Sequence, residues 1–185
     1  MDKITAINFY QEWVKVVNER KDEMCKIWRN NKKLTLFVKG SENSIIKKIS
    51  DNLNLKSYEK DYYSIDTILY TDEDLVPKTK EGTFWFRDIK VAFEHENNVY
   101  SGLFQEVAHL LITNSELKVL VSYPNEAEEE LPYLHDIIKG TRHSKTLSEE
   151  ENFLIIFGYE NNFEWEGYIY KEDKWNKIKY FQQRK

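Results

Sequence analysis

The sequence predicts an α/β domain of the mixed, α+β kind, with a mixed central sheet flanked by helices and extra antiparallel strands toward the C-terminus. Three observations predict it. Apolar residues recur at helical spacing from residue 5 to about residue 53. The period switches to two after Tyr58, where Tyr, Ile and Thr accumulate. An apolar run before Asn97, a helical stripe and the continuous apolar run Leu117 to Tyr123 then form a strand–helix–strand unit, which implies a right-handed crossover and local parallel pairing.

Residues 5 to 31 carry Ile7, Val14, Val17, Met24, Ile27 and Trp28 with charge between them and read as one amphipathic helix. Leu34 to Val38 is a short β-prone run or the end of that helical region. Gly40 and Ser41 break the chain. Ile45, Ile46, Ile49 and Leu53 make a second, shorter helix, which Asn43 or Ser44 is placed to cap. Tyr58 to Thr71 alternates, with Tyr62 to Tyr70 as a strand, the polar stretch with Pro77 and Gly82 reads as a loop, and Phe84 to Glu96 as the next strand. Val99, Leu103, Phe104, Val107, Leu110 and Leu111 stripe a helix with Asn97 as its cap. Leu117 to Tyr123 reads as a continuous apolar strand, interrupted only by Lys118 and Ser122, in an interior position, and Pro124 ends it. A helix from about Glu126 to Lys139, a loop from Gly140 to Thr146, and strands at Phe153 to Tyr159, Trp165 to Tyr170 and Trp175 to Phe181 complete the chain, with Asn161-Asn162 as a hairpin turn. Without a repeat or a linker, residues 1–185 are expected to form a single domain.

Composition narrows the function classes. The aromatic content, 15%, argues against disorder. No run of about 18 apolar residues exists, so no membrane span is expected. The N-terminus lacks the basic-then-apolar pattern of a signal peptide. A lone cysteine, Cys25, excludes an intramolecular disulfide and a zinc site of several thiolates, and it fits a reducing, cytoplasmic setting. Lying in a helical pattern, Cys25 reads as structural. The net charge of -5 does not advertise a nucleic-acid binder. Basic residues nevertheless gather at Lys15 to Lys33, Lys47 to Lys60 and Lys171 to Lys185, while acid concentrates at Glu126 to Glu130 and Glu149 to Glu151. Folding either brings the basic stretches to one face or leaves a mixed, solubilising surface.

The chemistry-bearing signal is acidic. Glu94 and Glu96 lie two apart in a strand and therefore project from one face, with Val91, Phe93 and His95 on the other. Like charges so close need a wet face or a positive group between them, and a divalent cation is one such group. Asp66 sits within an apolar strand, where propensity and burial both disfavour it. Oxygen ligands of this kind suit Mg²⁺ or Mn²⁺. Glu106 and Gln105 lie on the following helix, and His109 falls three residues past Glu106, the spacing of a helical carboxylate–imidazole pair. His95 reads as a core or interface imidazole. His135 and His143 have no zinc-like spacing, and no phosphate-binding glycine loop or nucleophilic triad is present.

Asp66 in its aromatic–aliphatic strand, Glu94-x-Glu96 at the end of the next, then a helix and the apolar strand Leu117 to Tyr123, resemble the restriction-endonuclease-like, or PD-(D/E)xK, nuclease superfamily over roughly residues 5 to 125. The resemblance implies a restriction-endonuclease-like core of helix, three strands, helix and strand. It implies that Asp66 and Glu94 ligate Mg²⁺ or Mn²⁺, that Asp66, Glu94 and Glu96 form the catalytic set, and that DNA is the substrate in a bacterial setting. Glu96 occupies the position usually held by lysine. Water activation then falls to Glu96, a second metal or Lys90, and Glu12 or Glu19 is available as an acid from the first helix. A simple hairpin about the Pro77–Gly82 loop sets Asp61 rather than Asp66 opposite Glu94, and an asymmetric loop or bulge restores Asp66.

The sequence thus supports a metal-dependent nuclease that hydrolyses DNA phosphodiester bonds. The alternative is a catalytically inactive relative acting as a protein-binding module of the inhibitor or immunity type, or as a regulatory one. A homodimer with Trp165, Tyr168, Tyr170 and Trp175 at its interface is a further possibility; the Trp and Tyr rings of the last strands could stack bases, but ordinary core packing or a protein interface is the reading they favour.

Overall fold

The computed structural model describes residues 3–179, the side chains of 99–102 excepted. One mixed sheet holds seven strands in sequential order: β1 (Lys56–Tyr58), β2 (Thr67–Tyr70), β3 (Val91–Glu96), β4 (Leu117–Ser122), β5 (Phe153–Tyr159), β6 (Glu164–Lys171) and β7 (Lys174–Lys177). The first three strands are antiparallel, β3, β4 and β5 are parallel, and the last three are antiparallel again. Parallel neighbours require a long crossover. Helix α5 (Val99–Ile112) supplies it between β3 and β4, and α6 (Ala127–Lys139) with α7 (Ser144–Glu150) supplies it between β4 and β5. The mixed α/β architecture and the antiparallel C-terminal strands are as the sequence indicates.

Side-chain alternation divides the core in two. Val91, Phe93, Val119, Val121, Leu154 and Ile156 face the N-terminal helices α1 (Ala6–Glu19), α2 (Lys21–Cys25), α3 (Asn31–Val38) and α4 (Ile45–Asn52). Ala92, Leu120, Ile155 and Phe157 face α5, α6 and α7 through Leu103, Val107, Leu134, Ile138 and Leu147. Because helices cover both faces, the central strands are apolar on both sides, which is why Leu117 to Ser122 shows no alternation. Among the described residues no helix is long and apolar enough to cross a membrane.

The expected single helix over 5–31 is broken. At Arg20 the backbone leaves helical geometry, and its guanidinium ties to the Glu23 carboxylate and the Asn43 carbonyl, redirecting the chain into α2. Leu34 to Val38 is helical: the Asn30 side chain accepts the Lys33 amide at 3.0 Å, and Leu34 and Val38, four apart, share the buried face. Ser44 caps α4 as read, accepting the Lys47 amide at 3.0 Å.

The expected strand over 62–70 is shortened to β2, and β1 lies before it. Tyr62 and Ile65 exchange backbone hydrogen bonds across a tight turn whose central residues, Tyr63 and Ser64, have φ of 51° and 69°. The next strand starts at Val91 rather than Phe84, because the Arg87 and Asp88 amides turn to the Asp74 carbonyl instead of a ladder. Part of the expected loop 140–146 is the start of α7. Asn97 does not cap α5. Asn98 holds that position, and the Asn97 amide donates to the Asn31 carbonyl and Thr35 hydroxyl of α3 at 2.9 and 2.8 Å. The last expected strand is β7, and the end of its range, from residue 180, lies outside the described residues. Cys25 is exposed, its neighbour Met24 taking the buried position. Trp165, Tyr168 and Tyr170 are buried in the chain's own core, in line with the core-packing reading, while Trp175 is half-buried.

Candidate functional site

Register decides which acid faces Glu94. Thr67 pairs with Phe93, Ile68 with Ala92 and Leu69 with Val91, so one further step sets Asp66 opposite Glu94. The ladder turns about Lys80, inside the Pro77–Gly82 stretch, and no bulge is required. Directly opposed residues on antiparallel strands share a face, and the Asp66 amide donates to Glu94 Oε2 at 3.2 Å. Asp61 is excluded: it is exposed, and its carboxylate accepts the Ser64 amide within the 62–65 turn at 2.8 Å.

Both Asp66 oxygens are engaged. Oδ2 accepts the His95 amide at 2.9 Å, and Oδ1 pairs with the Lys39 ammonium at the C-terminal end of α3. Glu94 differs. It is 0% exposed, and its Oε1 has no hydrogen-bond donor among the described residues. Helix α5 lies over it and brings two further groups. His109 Nδ1 sits 3.8 Å from Glu94 Oε1 and 3.5 Å from Glu106 Oε2. One ligand atom from each of Glu94, Glu106 and His109 lies within 4.8 Å of the others.

Electrostatics follow from that crowding. Burial, reinforced by the charges of Asp66 and Glu106, pushes the Glu94 carboxyl up to about 10. Burial and then Asp66 raise Glu106 as well. A buried carboxyl of this kind keeps a proton at neutral pH unless a cation replaces it. The orphaned buried oxygen and the mixed oxygen–nitrogen donor set fit a divalent ion, so the side chains able to hold one are Glu94, Glu106 and His109, with Asp66 beside them.

The three sequence-selected acids do not all converge. Asp66 and Glu94 meet. Glu96 shares their face but turns to the α5 N-terminus, where Oε1 accepts the Asn98 amide, a favourable place for a carboxylate. Lys90 is at the far end of β3 and is bound to Glu116 Oε1 at 2.6 Å and Asp74 Oδ1 at 3.4 Å, so it does not serve this cluster. Glu12 is tied to Lys15 and to the Asn52 amide, while Glu19 is exposed. His95 points to the opposite face as expected. Its Nε2 meets the Tyr123 hydroxyl at 2.9 Å, and burial lowers its pKa to about 3. Its backbone amide, not its ring, contributes to the cluster.

Lys39 carries no sequence signal, since it ends a helix that periodicity leaves ambiguous and lies 27 positions before its partner. Glu106 and His109 did carry one, the three-residue spacing, but spacing alone does not orient the pair toward β3. Comparison with protein-family models, with curated proteins and with solved structures gave no match.

Proposed function

We propose that the chain is a metal-dependent phosphodiesterase acting on DNA. The observation that carries this reading is Asp66, just before β2, bonded through its amide to a fully buried Glu94 near the end of β3, with one Glu94 oxygen without a donor among the described residues. The succession α4, β1, β2, β3, α5, β4, with three antiparallel strands and a parallel fourth, agrees with the core that the PD-(D/E)xK resemblance implies. A divalent ion in such a place supplies an acidified water and charge neutralisation at a phosphoryl oxygen.

The chain's own residues do the rest. The Asp66 amide fixes the Glu94 carboxylate, and the Asp66 side chain is itself fixed by the His95 amide and the Lys39 ammonium. Burial of Glu94 excludes water from one side of the cluster. Lys39 supplies the cationic side chain that the missing motif lysine does not, though from another element. Support for a polyanionic substrate lies beside the cluster. Residues 26 to 39 hold five Lys or Arg and no carboxylate, and Lys26, Arg29, Lys32 and Lys33 are exposed. Asn97, at the end of β3, anchors that segment's helix next to the acids. Cations so arranged favour phosphate contacts.

The test is cleavage of supercoiled plasmid and of single-stranded DNA with Mg²⁺ or Mn²⁺. The reading expects cleavage that Asp66→Asn and Glu94→Gln each reduce by at least roughly 100-fold. No cleavage of either substrate with either ion overturns it and leaves the chain as a binding module on this frame.

A further inference from the structure

The ion's position and kind follow from which oxygens are already in use. Each Asp66 oxygen already has a partner, Oδ1 the Lys39 ammonium and Oδ2 the His95 amide. Glu96 is turned to Asn98. Glu94 Oε2 takes the Asp66 amide. That leaves Glu94 Oε1, wholly buried and without a donor, and it is aimed at α5 rather than at β2. No protein donor reaches that oxygen among the described residues, and the Glu106 carboxyl beside it shares its proton until a cation takes the proton's place. The groups that face it are Glu106 Oε2 and His109 Nδ1, and His109 Nδ1 also lacks a hydrogen-bond partner among the described residues. Ligand atoms about 2.1 Å from an ion stand roughly 3 to 4 Å apart, and the contacts of 3.5 and 3.8 Å fall in that range.

We infer that the divalent cation is bound between β3 and α5 by Glu94, Glu106 and His109, with Asp66 as a positioning residue rather than a ligand, and that the imidazole makes this a site for a first-row transition dication in preference to Mg²⁺. This deepens the nuclease reading and rests on it for the ion's purpose. The preference has a plain cause. Mg²⁺ is a hard ion that favours oxygen and keeps its waters, whereas imidazole nitrogen favours the transition series. Lys39 then has a definite role: it cancels the Asp66 charge, so that only Glu94 and Glu106 bring net negative charge to the ion.

The test uses the full chain with Mn²⁺ and Mg²⁺ as probes. Calorimetric titration gives the two affinities, and electron spin-echo modulation of the Mn²⁺-loaded protein detects a coordinated ¹⁴N nucleus. The expected result is Mn²⁺ binding at least about 10-fold tighter than Mg²⁺, with nitrogen modulation in the wild type and in Asp66→Asn. Both the modulation and most of the preference should be lost in His109→Ala and His109→Gln. His109 is part-exposed, so these variants are expected to fold, which thermal melts check. Absent Mn²⁺ binding, modulation that is missing from the wild type or persists without His109, or equal affinities for the two ions each overturn the inference. DNA cleavage is read separately. Cleavage without a nitrogen signal retains the nuclease and discards this site, and a nitrogen signal without cleavage does the reverse.

Discussion

Lys39 and Asp66 form an ion pair that joins the end of α3 to the residue just before β2 at the acidic cluster. Both side chains are mostly out of water, and Glu94 and Glu106 stand close to the same carboxylate. Removing the ammonium leaves the Asp66 carboxylate without its cation beside Glu94 and Glu106. Lys39→Met is therefore expected to destabilise the metal-free protein by about 1–3 kcal/mol. Adding Asp66→Asn should recover part of that loss, because the orphaned charge is then gone. Urea denaturation of the two single variants and the double variant measures the coupling. Additive losses would show that the pair does not act as one.

Glu94 and Glu96 make opposite predictions despite their matching place in the sequence motif. The Glu94 oxygen has no partner, whereas Glu96 serves the first turn of α5. Glu94→Gln should lower Mn²⁺ affinity by on the order of 100-fold, while Glu96→Gln, which keeps the acceptor for the Asn98 amide, should change it less than about 3-fold. Calorimetry on both variants decides the matter. Equal losses would mean that Glu96 leaves the helix to join the ion.

The difference between these two glutamates also marks how far the sequence was legible. Strand parity correctly put Glu94 and Glu96 on one face and His95 on the other, because alternation is fixed by the backbone. The crossover before Leu117 was readable from apolar period and length. Which group each carboxylate meets was not, because that depends on register and on neighbouring elements. The two-residue turn at Tyr63-Ser64 hid within an unbroken β-prone run, since it lacks the Gly or Asn that its positive φ values favour. That turn, not a bulge, ends the run before Asp66. Lys39 was hidden for a related reason: a contact between the end of α3 and the residue just before β2 leaves no periodic trace.

Tyr10 lies flat against Gly167 of β6, and its hydroxyl donates to the Trp165 carbonyl at 2.6 Å. A Cβ at residue 167 would stand 2.8 Å from the Tyr10 ring, which is buried and anchored at its far end. The ring cannot retreat without breaking that bond. Gly167→Ala is expected to cost about 1–3 kcal/mol, and the additional change Tyr10→Leu should reduce that cost by freeing the space. Denaturant midpoints for the four proteins of this cycle test the contact. A neutral Gly167→Ala would show that α1 shifts freely over the sheet.

Lys118 gives the pH dependence. It is the second residue of β4, on the face covered by α5, and is 5% exposed, and among the described residues its ammonium makes only long bonds, to the Ser115 carbonyl and hydroxyl at 3.4 and 3.3 Å. Burial pushes its pKa down to about 8, with Glu150 opposing. Between about 8 and the ordinary lysine value of 10.5 the unfolded chain holds more of this proton than the folded one, so the contribution to stability rises with pH. Its favourable part is complete above 10.5 and lost as pH falls through 8, leaving the charged amine's full burial penalty at neutral pH. Lys118→Met removes that penalty and should be more stable than wild type by about 1–3 kcal/mol at pH 7. At roughly 2–4 °C per kcal/mol for a chain of this length, the gain in Tm is measurable by calorimetry. It should shrink at pH 9.5, where the wild-type amine has lost most of its charge. A Tm difference that is constant from pH 7 to 9.5 would show that the Lys118 amine reaches water and is not penalised by burial.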